Sequence, residues 1–555
     1  MNRIIAFTTA LFLMVQTTKA QQTGSWGDQG NGFYKNPVLE ANYPDNDVIK
    51  VGDTFYMMTS TNHWSPGMMI VKSKDLVNWT FSNNILQAPI TFDKEYNIGQ
   101  PKSLANRGTW AGSFGFNGEY YFAYWCFNKN HLKDGNLHIL YSKSKSLEGV
   151  WTVPEELTFA DGSPINTTDP GVMWDLDTKK AWICITLKGT VKIFPLSWDG
   201  KKILQNTEEG IVVTKKLEGE SNKIYKFDGN YFVMNSYVAT HDSVVQRMQA
   251  FHKAKNIEGP WEGKIVLENG NGTDRSPSQG SLLKLEDGSW WFLHQLARGE
   301  ANNRYNGRPQ MLEPVSWKNG WPLIGVDTDG DGIGEVVWEN KKPILGSPIT
   351  APATDDDFNT SELGLQWNWR FNPRMDRWSL KERAGFLRLK SCISLPVIDK
   401  ESIKKVPNLI AQRLMGRYKN VMTAKVDVSG MVNGQEGGLH VSSGDNTVIG
   451  VNKDSIGRLN LFFKSDTSNV QPVKLVNGID LKQSDIWLQA RVENGLATFH
   501  YSLNGKEFLQ MGGKIRLTFS GFTPNMVGFY TMNSEEKGYI DVDWFKYDYD
   551  GPKGN

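Results

Sequence analysis

Three acidic residues stand at matching places in a repeated sequence pattern. Asp45, Asp169 and Glu220 each lie about eight residues before a turn built on Gly or Asp, which leads into an aromatic stretch. Two carboxyl groups can cleave a glycosidic bond, because one protonates the leaving oxygen while the other works on the opposite side of the sugar ring. A third can raise the pKa of the acid through like-charge repulsion. The pattern therefore predicts glycoside hydrolysis, provided that the fold brings the three together.

The turn and its aromatic stretch occur five times in the first 325 residues, at intervals of about 50 to 65 residues. The five copies begin at Gly52, Asn117, Asp177, Asp228 and Asp287. Such spacing, with several short strands in each unit, is typical of radial β repetition. We therefore predict a five-bladed β-propeller over residues 25–345. Its innermost strands would direct the three carboxylates into one pocket.

The texture of the chain changes after the fifth repeat. Residues 346–357 contain prolines and three consecutive aspartates and are typical of a linker. Residues 358–555 show alternating strands separated by turn residues, without helical periodicity. This pattern predicts a C-terminal β-sandwich, so the fold class is all-β.

Composition narrows the choice of partner. The formal net charge is +1, so the chain lacks the basic field that would attract nucleic acid or an anionic membrane. Aromatic residues make up 12% of the chain, with 20 Trp. Most of these can be explained by packing between blades, but flat indole rings are also platforms for sugars. The predicted partner is a neutral saccharide.

The first twenty residues resemble a secretory signal peptide. Arg3 precedes an apolar stretch from Ile4 to Val15, and small residues follow before Gln21. That stretch is too short for a resident transmembrane helix. We expect an exported protein, either periplasmic or extracellular, without membrane insertion. Its three cysteines, Cys126, Cys184 and Cys392, are too few and too scattered for a disulfide framework.

One acidic loop suggests a metal site. Asp327, Asp329, Asp331 and Glu335 place oxygen ligands and glycines as in the first half of a calcium loop, but the Glu expected at its twelfth position is missing. An acidic surface turn explains the loop equally simply. Structural calcium is left open, and the predicted chemistry requires no cofactor.

Several ordered motifs resemble glycoside hydrolase family 43. They include the opening run from Asn36 to Trp79, TWAGSF at Thr109, TTDPGVMWD at Thr167, ESNKIYKFDGNYF at Glu220 and GRPQMLEPVSWKNGWPLIG at Gly307. Residues 356–380 are similar to the concanavalin-like sandwich of the β-xylosidase and α-L-arabinofuranosidase branch. The resemblance covers nearly the whole chain after the signal peptide.

The resemblance implies a role for each matching residue. Asp45 corresponds to the general base, Asp169 to the acid that modulates pKa, and Glu220 to the general acid. Trp110 corresponds to a sugar-contacting Trp, and Arg308 to an Arg that reaches the hydroxyls of the bound sugar.

Some alternatives remain open at the level of sequence. Asp47 competes with Asp45 as base, since alternation in a strand would direct both to one face. Glu218 competes with Glu220. His63 and Trp64 follow the first aromatic strand, where the branch shapes its sugar-binding wall, so either residue can contact substrate or simply pack. His294 is a candidate metal or water ligand or a core histidine.

Together these features predict an exported, inverting exo-glycosidase that removes terminal pentosyl residues from plant cell-wall oligosaccharides, with α-L-arabinofuranosyl before β-D-xylosyl. An endo-acting arabinanase or xylanase of the same fold is the nearest alternative. A carbohydrate-binding propeller that has lost catalysis is another. The sequence leaves the oligomeric state undetermined.

Overall fold

The computed structural model describes most of the 555-residue chain. The described residues are 23–93, 96–98, 108–128, 137–215, 219–241, 244–269, 277–296, 305–393, 403, 406–442, 446–466, 476–519, 522 and 524–553. Their regular structure is almost entirely β-strand, with short 3-10 turns at Thr207–Glu209 and Met375–Arg377. None of their helices is long and apolar enough to span a bilayer.

Five antiparallel sheets follow one another along the first part of the chain. Two short strands, β1 (Gly27–Asp28) and β2 (Phe33–Lys35), come before them. The first sheet consists of β3 (Asp47–Val51), β4 (Thr54–Thr59), β6 (Gly67–Ser73) and β7 (Trp79–Leu86), and β5 (Trp64–Ser65) lies in the connection between β4 and β6. The second sheet consists of β8 (Gly108–Phe116), β9 (Tyr121–Asn128), β10 (Leu137–Ser144) and β11 (Glu155–Glu156). The third sheet consists of β12 (Gly171–Asp175), β13 (Lys180–Leu187), β14 (Thr190–Leu196) and β15 (Ile211–Thr214). The fourth sheet consists of β16 (Glu220–Phe227), β17 (Asn230–His241), β18 (Val244–Ala254) and β19 (Glu262–Glu268). The fifth consists of β20 (Pro277–Lys284), β21 (Trp290–Leu296), β22 (Gln310–Lys318) and β23 (Trp321–Ile324).

The five sheets are the blades of the predicted propeller. Their innermost strands, β3, β8, β12, β16 and β20, contact one another in a closed ring. The five aromatic stretches form the second strand of each blade, and aromatic rings such as Phe122 and Trp174 stack between blades at 4.9 Å. The prediction of a five-bladed propeller is confirmed.

A small sheet and a buried ion cluster join the two ends of the propeller. After β24 (Gly334–Glu335), which extends the fourth blade, β25 (Glu339–Lys341) pairs with β2. The next residue, Lys342, is buried and donates hydrogen bonds to the carboxylates of Asp28 and Asp75. Because a buried charge is stable only when paired, this cluster fixes the segment after β25 to β1 and to the first blade.

The C-terminal region is a sandwich of two antiparallel sheets. Its strands are β26 (Asn368–Arg370), β27 (Trp378–Ser379), β28 (Leu387–Lys390), β29 (Ile410–Arg413), β30 (Lys419–Asp427), β31 (Glu436–Ser442), β32 (Asn446–Lys453), β33 (Leu459–Asp466), β34 (Val476–Leu481), β35 (Asp485–Glu493), β36 (Leu496–Ser502), β37 (Leu509–Arg516), β38 (Met526–Met532) and β39 (Tyr539–Tyr549). One sheet has the order β34-β33-β32-β31-β38-β29-β26-β5, and the other β27-β28-β39-β30-β35-β36-β37. The predicted sandwich is confirmed.

One strand of the propeller region belongs to a sandwich sheet. β5 pairs with β26, with Trp64 opposite Arg370 and Ser65 opposite Trp369. A single apolar core also continues from the first and fifth blades into the sandwich. The two regions therefore pack as one body, and the sandwich lies against the propeller near the first blade.

Candidate active site

A cavity of about 250 Å³ lies where the innermost strands of the propeller meet the sandwich. The residues that line it are Asp45, Asn62, Trp110, Ala111, Thr168, Asp169, Glu220, Arg247, Ser278, Gln279, Gln295, Arg308 and Phe522. The three acids singled out in the sequence thus come together from the first, third and fourth blades. Both groups needed for acid–base chemistry on an acetal are present in one pocket.

Asp45 is held by a dense set of hydrogen bonds just before β3. Its Oδ1 accepts hydrogen bonds from Arg308 Nη1 (2.9 Å) and Gln295 Nε2 (3.2 Å), and its Oδ2 accepts one from the Ser60 hydroxyl. Its backbone N–H donates to the side-chain oxygen of Gln295 at 2.7 Å. Asp45 is only 7% exposed. A carboxylate fixed in this way is well placed to orient a water molecule as a general base.

Asp169 occupies the equivalent place before β12. Its Oδ2 accepts hydrogen bonds from the Ser221 backbone N–H (2.8 Å) and from Gln279 Nε2 (2.7 Å). Burial, and then the charges of Glu220 and Asp45, raise the pKa of Asp169 to about 7. A carboxyl group that titrates near neutrality beside two other acids is typical of catalytic sites. The arrangement suits a residue that modulates its acidic neighbours.

Glu220 is the first residue of β16 and lies in a β-bulge. The pairing of β16 with β17 shifts between Glu220 and Lys223, and Ser221 inside the bulge has a φ of 66°. The Glu220 side chain is 47% exposed, and its Oε2 accepts a hydrogen bond from Arg247 Nη1 at 2.6 Å. Since the Ser221 N–H bonds to Asp169, the bulge fixes Glu220 beside Asp169 and leaves its carboxyl group at the cavity surface.

The carboxylate of Asp47, the alternative general base, makes contacts that hold neighbouring strands together. Its carboxylate accepts hydrogen bonds from the Phe114 backbone N–H (2.5 Å) and the Ser281 hydroxyl (3.1 Å), and it lies 3.5 Å from the Lys223 ammonium. It is not among the described residues that line the cavity. The alternation argument does not apply because Asp45 precedes the strand with left-handed backbone, at a φ of 60°. The rival acid, Glu218, lies outside the described residues.

Two predicted sugar-binding residues line the cavity together with an aromatic residue of the sandwich. Trp110 comes from β8, and its ring centroid lies 5.7 Å from that of Phe522. The guanidinium of Arg308 lies 5.5 Å from the same Phe522 ring, and it also donates to Asp45. Phe522 precedes β38, so the sandwich supplies part of the cavity wall.

His63 and Trp64 are not among the described residues that line the cavity, and their contact with substrate stays a prediction. They are 1% and 5% exposed. The His63 ring lies 5.0 Å from Phe371 of the sandwich, and Trp64 is paired within the sandwich sheet. The aromatic sequence at this point serves the contact between the two regions, whereas the preceding Asn62 reaches the cavity.

His294 and the acidic loop do not lie among the described residues of the cavity wall. His294 is completely buried, with Nε2 3.2 Å from Glu313 Oε1 and Nδ1 3.0 Å from the Gln295 carbonyl oxygen. In the acidic loop, Asp329 and Asp331 group with Glu268, their ligand oxygens lying within 4.8 Å of one another. The carboxylates of Asp327 and Glu335 instead accept hydrogen bonds from within the loop. Structural calcium stays a prediction, and Glu268 was not foreseen for it.

Four of the cavity residues that sequence reasoning missed hold an acid or form part of the wall. Gln279 and Gln295 bind the two buried acids, Arg247 binds Glu220, and Phe522 covers one side. Gln295 ends the fifth aromatic stretch, which was a usable signal. Arg247 and Phe522 belong to none of the sequence motifs. Arg247 reaches the cavity from the third strand of the fourth blade, and Phe522 reaches it from the sandwich.

Comparison with known proteins agrees with this arrangement. Residues 34–322 match the model of the glycosyl hydrolases family 43, and residues 355–548 match the β-xylosidase C-terminal concanavalin A-like domain. A β-xylosidase of Formosa agariphila is 39% identical over 96% of this chain and 93% of its own length. A non-reducing end α-L-arabinofuranosidase of Bacteroides ovatus is 28% identical over 74% of each chain.

A solved structure also has the same fold. The xylan β-1,4-xylosidase of Bacillus halodurans superposes with a TM-score of 0.78 over 93% of this chain and 99% of its own, at 22% identity. Family match, relatives and cavity point in one direction. The chain belongs to glycosyl hydrolases family 43, with the concanavalin-like C-terminal domain of its β-xylosidases, and is a glycoside hydrolase.

Proposed function

We propose that this hydrolase removes single terminal pentosyl residues from plant cell-wall oligosaccharides with inversion of configuration. The observation that carries the proposal is the meeting of Asp45, Asp169 and Glu220 in one cavity, each from a different blade. The 39% identical β-xylosidase supports β-D-xylosyl as the first substrate and α-L-arabinofuranosyl as the second. This reverses the order expected from sequence.

In the proposed mechanism Asp45 acts as general base. Arg308 and Gln295 hold its Oδ1, so the carboxylate is oriented before a water molecule arrives. As the water attacks the anomeric carbon, its proton passes to Asp45. Glu220 gives its proton to the leaving oxygen from the other side of the ring, and the glycosidic bond breaks.

Asp169 has a supporting part in this mechanism. Burial, and then the charge of Glu220, raise the pKa of Asp169 to about 7. Ser221 N–H and Gln279 hold it in place while Glu220 changes its protonation state. We assign it the role of keeping the acid protonated at working pH.

Release from the chain end is supported by the wall that the sandwich supplies. Phe522 stands across the cavity from the innermost strands and shares contacts with Trp110 and Arg308. We infer that this wall ends the cavity on that side, so that one terminal sugar is accepted. Export by the signal at residues 1–20 is part of the same proposal, and this segment lies outside the described residues.

The substrate is tested with a panel of aryl pentosides and hexosides. We expect turnover of β-D-xylosides and, more weakly, α-L-arabinofuranosides. Turnover of hexosides alone would contradict the substrate, and no turnover of any glycoside would favour a binding protein. Xylo-oligosaccharides labelled at the reducing end distinguish the modes of cleavage, because an endo-acting enzyme releases labelled fragments of intermediate length from the start.

The stereochemistry is tested by proton NMR of the first product formed. If a water molecule lies between Asp45 and the anomeric carbon, a β-xyloside yields α-xylose first. Early appearance of β-xylose would show that a carboxylate attacks directly.

A further inference from the structure

The structure assigns Arg247 as a positioning residue that orients Glu220 toward the leaving group. This inference rests on the proposed role of Glu220 as general acid. Arg247 lies on β18, whereas Glu220 lies on β16, with β17 between them. Arg247 stands opposite Val238 on β17, and Glu220 stands opposite Ser236. Two positions along a strand is one full period, so both side chains reach the same face of the blade.

The three acids differ in the number of groups that donate hydrogen bonds to their carboxylates. Asp45 and Asp169 each accept from at least two groups that include a buried glutamine. Within the part of the chain that the structure describes, Arg247 is the only group seen to donate a hydrogen bond to the Glu220 carboxylate. A half-exposed Glu has several rotamers of similar energy. Arg247 therefore selects the rotamer from which Glu220 faces the cavity.

The geometry also divides the work between the two carboxyl oxygens. Arg247 Nη1 donates a hydrogen bond to Glu220 Oε2 at 2.6 Å, and this short distance is that of a charge-assisted hydrogen bond. The proton that the leaving oxygen needs would then sit on Oε1. While Glu220 carries its proton, the guanidinium hydrogen bond to the uncharged Oε2 leaves Oε1 as the oxygen that delivers the proton.

Other charges near the pair do not provide the same restraint. The charge of Glu220 acts on Asp169 as a repulsion, and Arg308 is hydrogen-bonded to Asp45 rather than to Glu220. Arg247 itself lines the cavity, and its side chain is 30% exposed. Replacing it should therefore affect proton delivery and leave the cavity's other contacts in place.

The test compares the variants Arg247→Met and Arg247→Lys on two substrates, xylobiose and dinitrophenyl β-xyloside. A xylose leaving group needs a proton in the transition state and a dinitrophenolate hardly does. For Arg247→Met we expect kcat on xylobiose to fall roughly tenfold or more, a part of the usual general-acid effect, while kcat on the dinitrophenyl substrate changes less than about twofold. Arg247→Lys, which keeps the charge, should recover part of the loss. Lys253→Gln, at the other end of β18, is the matched control and should behave as wild type.

A double-mutant cycle separates positioning from other effects. In a Glu220→Gln background, Arg247→Met should add almost no further loss on xylobiose, since the group on which it acts is already inactive. Equal losses on both substrates, or a full additional loss in the Glu220→Gln background, would overturn the inference. If Glu220→Gln itself lost activity equally on xylobiose and on dinitrophenyl β-xyloside, the assignment of Glu220 as the acid would be overturned, and the inference with it.

Discussion

At the scale of single residues, the site is built on unusual backbone. Asp45, Asp169, Ser221 and Gln279 all have left-handed φ values, between 53° and 66°. Residues other than glycine rarely adopt this conformation, which costs on the order of 1–3 kcal/mol each when the surroundings impose it. Hydrogen bonds to Asp169 from Ser221 and Gln279, and to Asp45 from Gln295 and Arg308, offset that cost. Within the site, this conformation therefore falls on the two buried acids and on two residues that hold Asp169.

The assignment of the general acid predicts a selective loss. Replacing Glu220 with Gln should lower turnover of a natural oligosaccharide by roughly a hundredfold or more, while a dinitrophenyl pentoside keeps much of its rate. The reason is that only the sugar leaving group depends on a donated proton. Glu218→Gln is the control, and it should affect both substrates mildly and alike. Selectivity in the Glu218 variant would mean that the acid is two residues earlier.

Asp169 predicts a pH-dependent stability. Its folded-state pKa of about 7 lies above that of an ordinary Asp, near 4, so its contribution to stability is greatest below pH 4 and is lost as the pH rises toward 7. Asp169→Asn removes this titration. The melting temperature of the variant, relative to wild type, should therefore rise between pH 4 and pH 7, although its activity falls. A constant difference across that range would show that Asp169 does not titrate as inferred.

At the scale of elements, the sequence predicted what repeats and missed what occurs once. The aromatic strands predicted the blades because five copies agree in spacing and in their turn residues. Asp45, Asp169 and Glu220 could be found because each holds the same place in its repeat. Arg247 and Phe522 could not, since a lone Arg on a third strand and a lone Phe in a sandwich loop fit many surface positions. The role of His63 and Trp64 could not be decided from the sequence, because aromatic residues serve a domain contact as well as a sugar.

The bulge in β8 explains why a glycine stands at position 112. The register between β8 and β9 shifts between Thr109 and Gly112, and a Cβ on Gly112 would lie 2.0 Å from the Tyr124 carbonyl oxygen. The Gly112 carbonyl also accepts a hydrogen bond from buried Lys223 at 2.6 Å. The glycine thus permits a close approach of strands directly behind Trp110.

Gly112→Ala should therefore destabilise the protein by about 1–3 kcal/mol and lower its activity, because the added methyl group forces β8 away from β9. Thermal denaturation and kcat/KM measure the two effects. Gly513→Ala is the matched control, since a Cβ there has nothing within 4 Å. Equal melting temperatures for the two variants would contradict this reading of the bulge.

At the scale of the whole molecule, the sandwich takes part in the active site. Phe522→Ala should raise KM for a terminal pentoside, with a loss in kcat/KM of roughly tenfold, since aromatic contacts are worth about 0.5–1.5 kcal/mol beyond the area they bury. Melting temperature should change little, because Phe522 lies on the cavity surface. Leu509→Ala, exposed on β37, controls for a general effect on the sandwich. Unchanged kinetics in the Phe522 variant would place the sugar away from this wall.

Removal of the whole sandwich should have a larger effect. A chain that ends at residue 348 would expose the shared apolar core and leave β5 without its partner strand. We expect aggregation or loss of activity, measured by size-exclusion chromatography and by hydrolysis of an aryl xyloside. A monodisperse, fully active propeller would show that the two regions are independent.

The pairing of β5 with β26 has a consequence for how this enzyme could be assembled. Residues far apart in the chain complete one hydrogen-bonded ladder, so backbone hydrogen bonds and a shared apolar core join the halves in addition to the covalent connection near residue 350. Two polypeptides made separately, one ending and one beginning in this stretch, carry complementary edges and complementary apolar faces. During evolution, a substitution on one side of this contact would therefore have to be matched by a substitution on the other side.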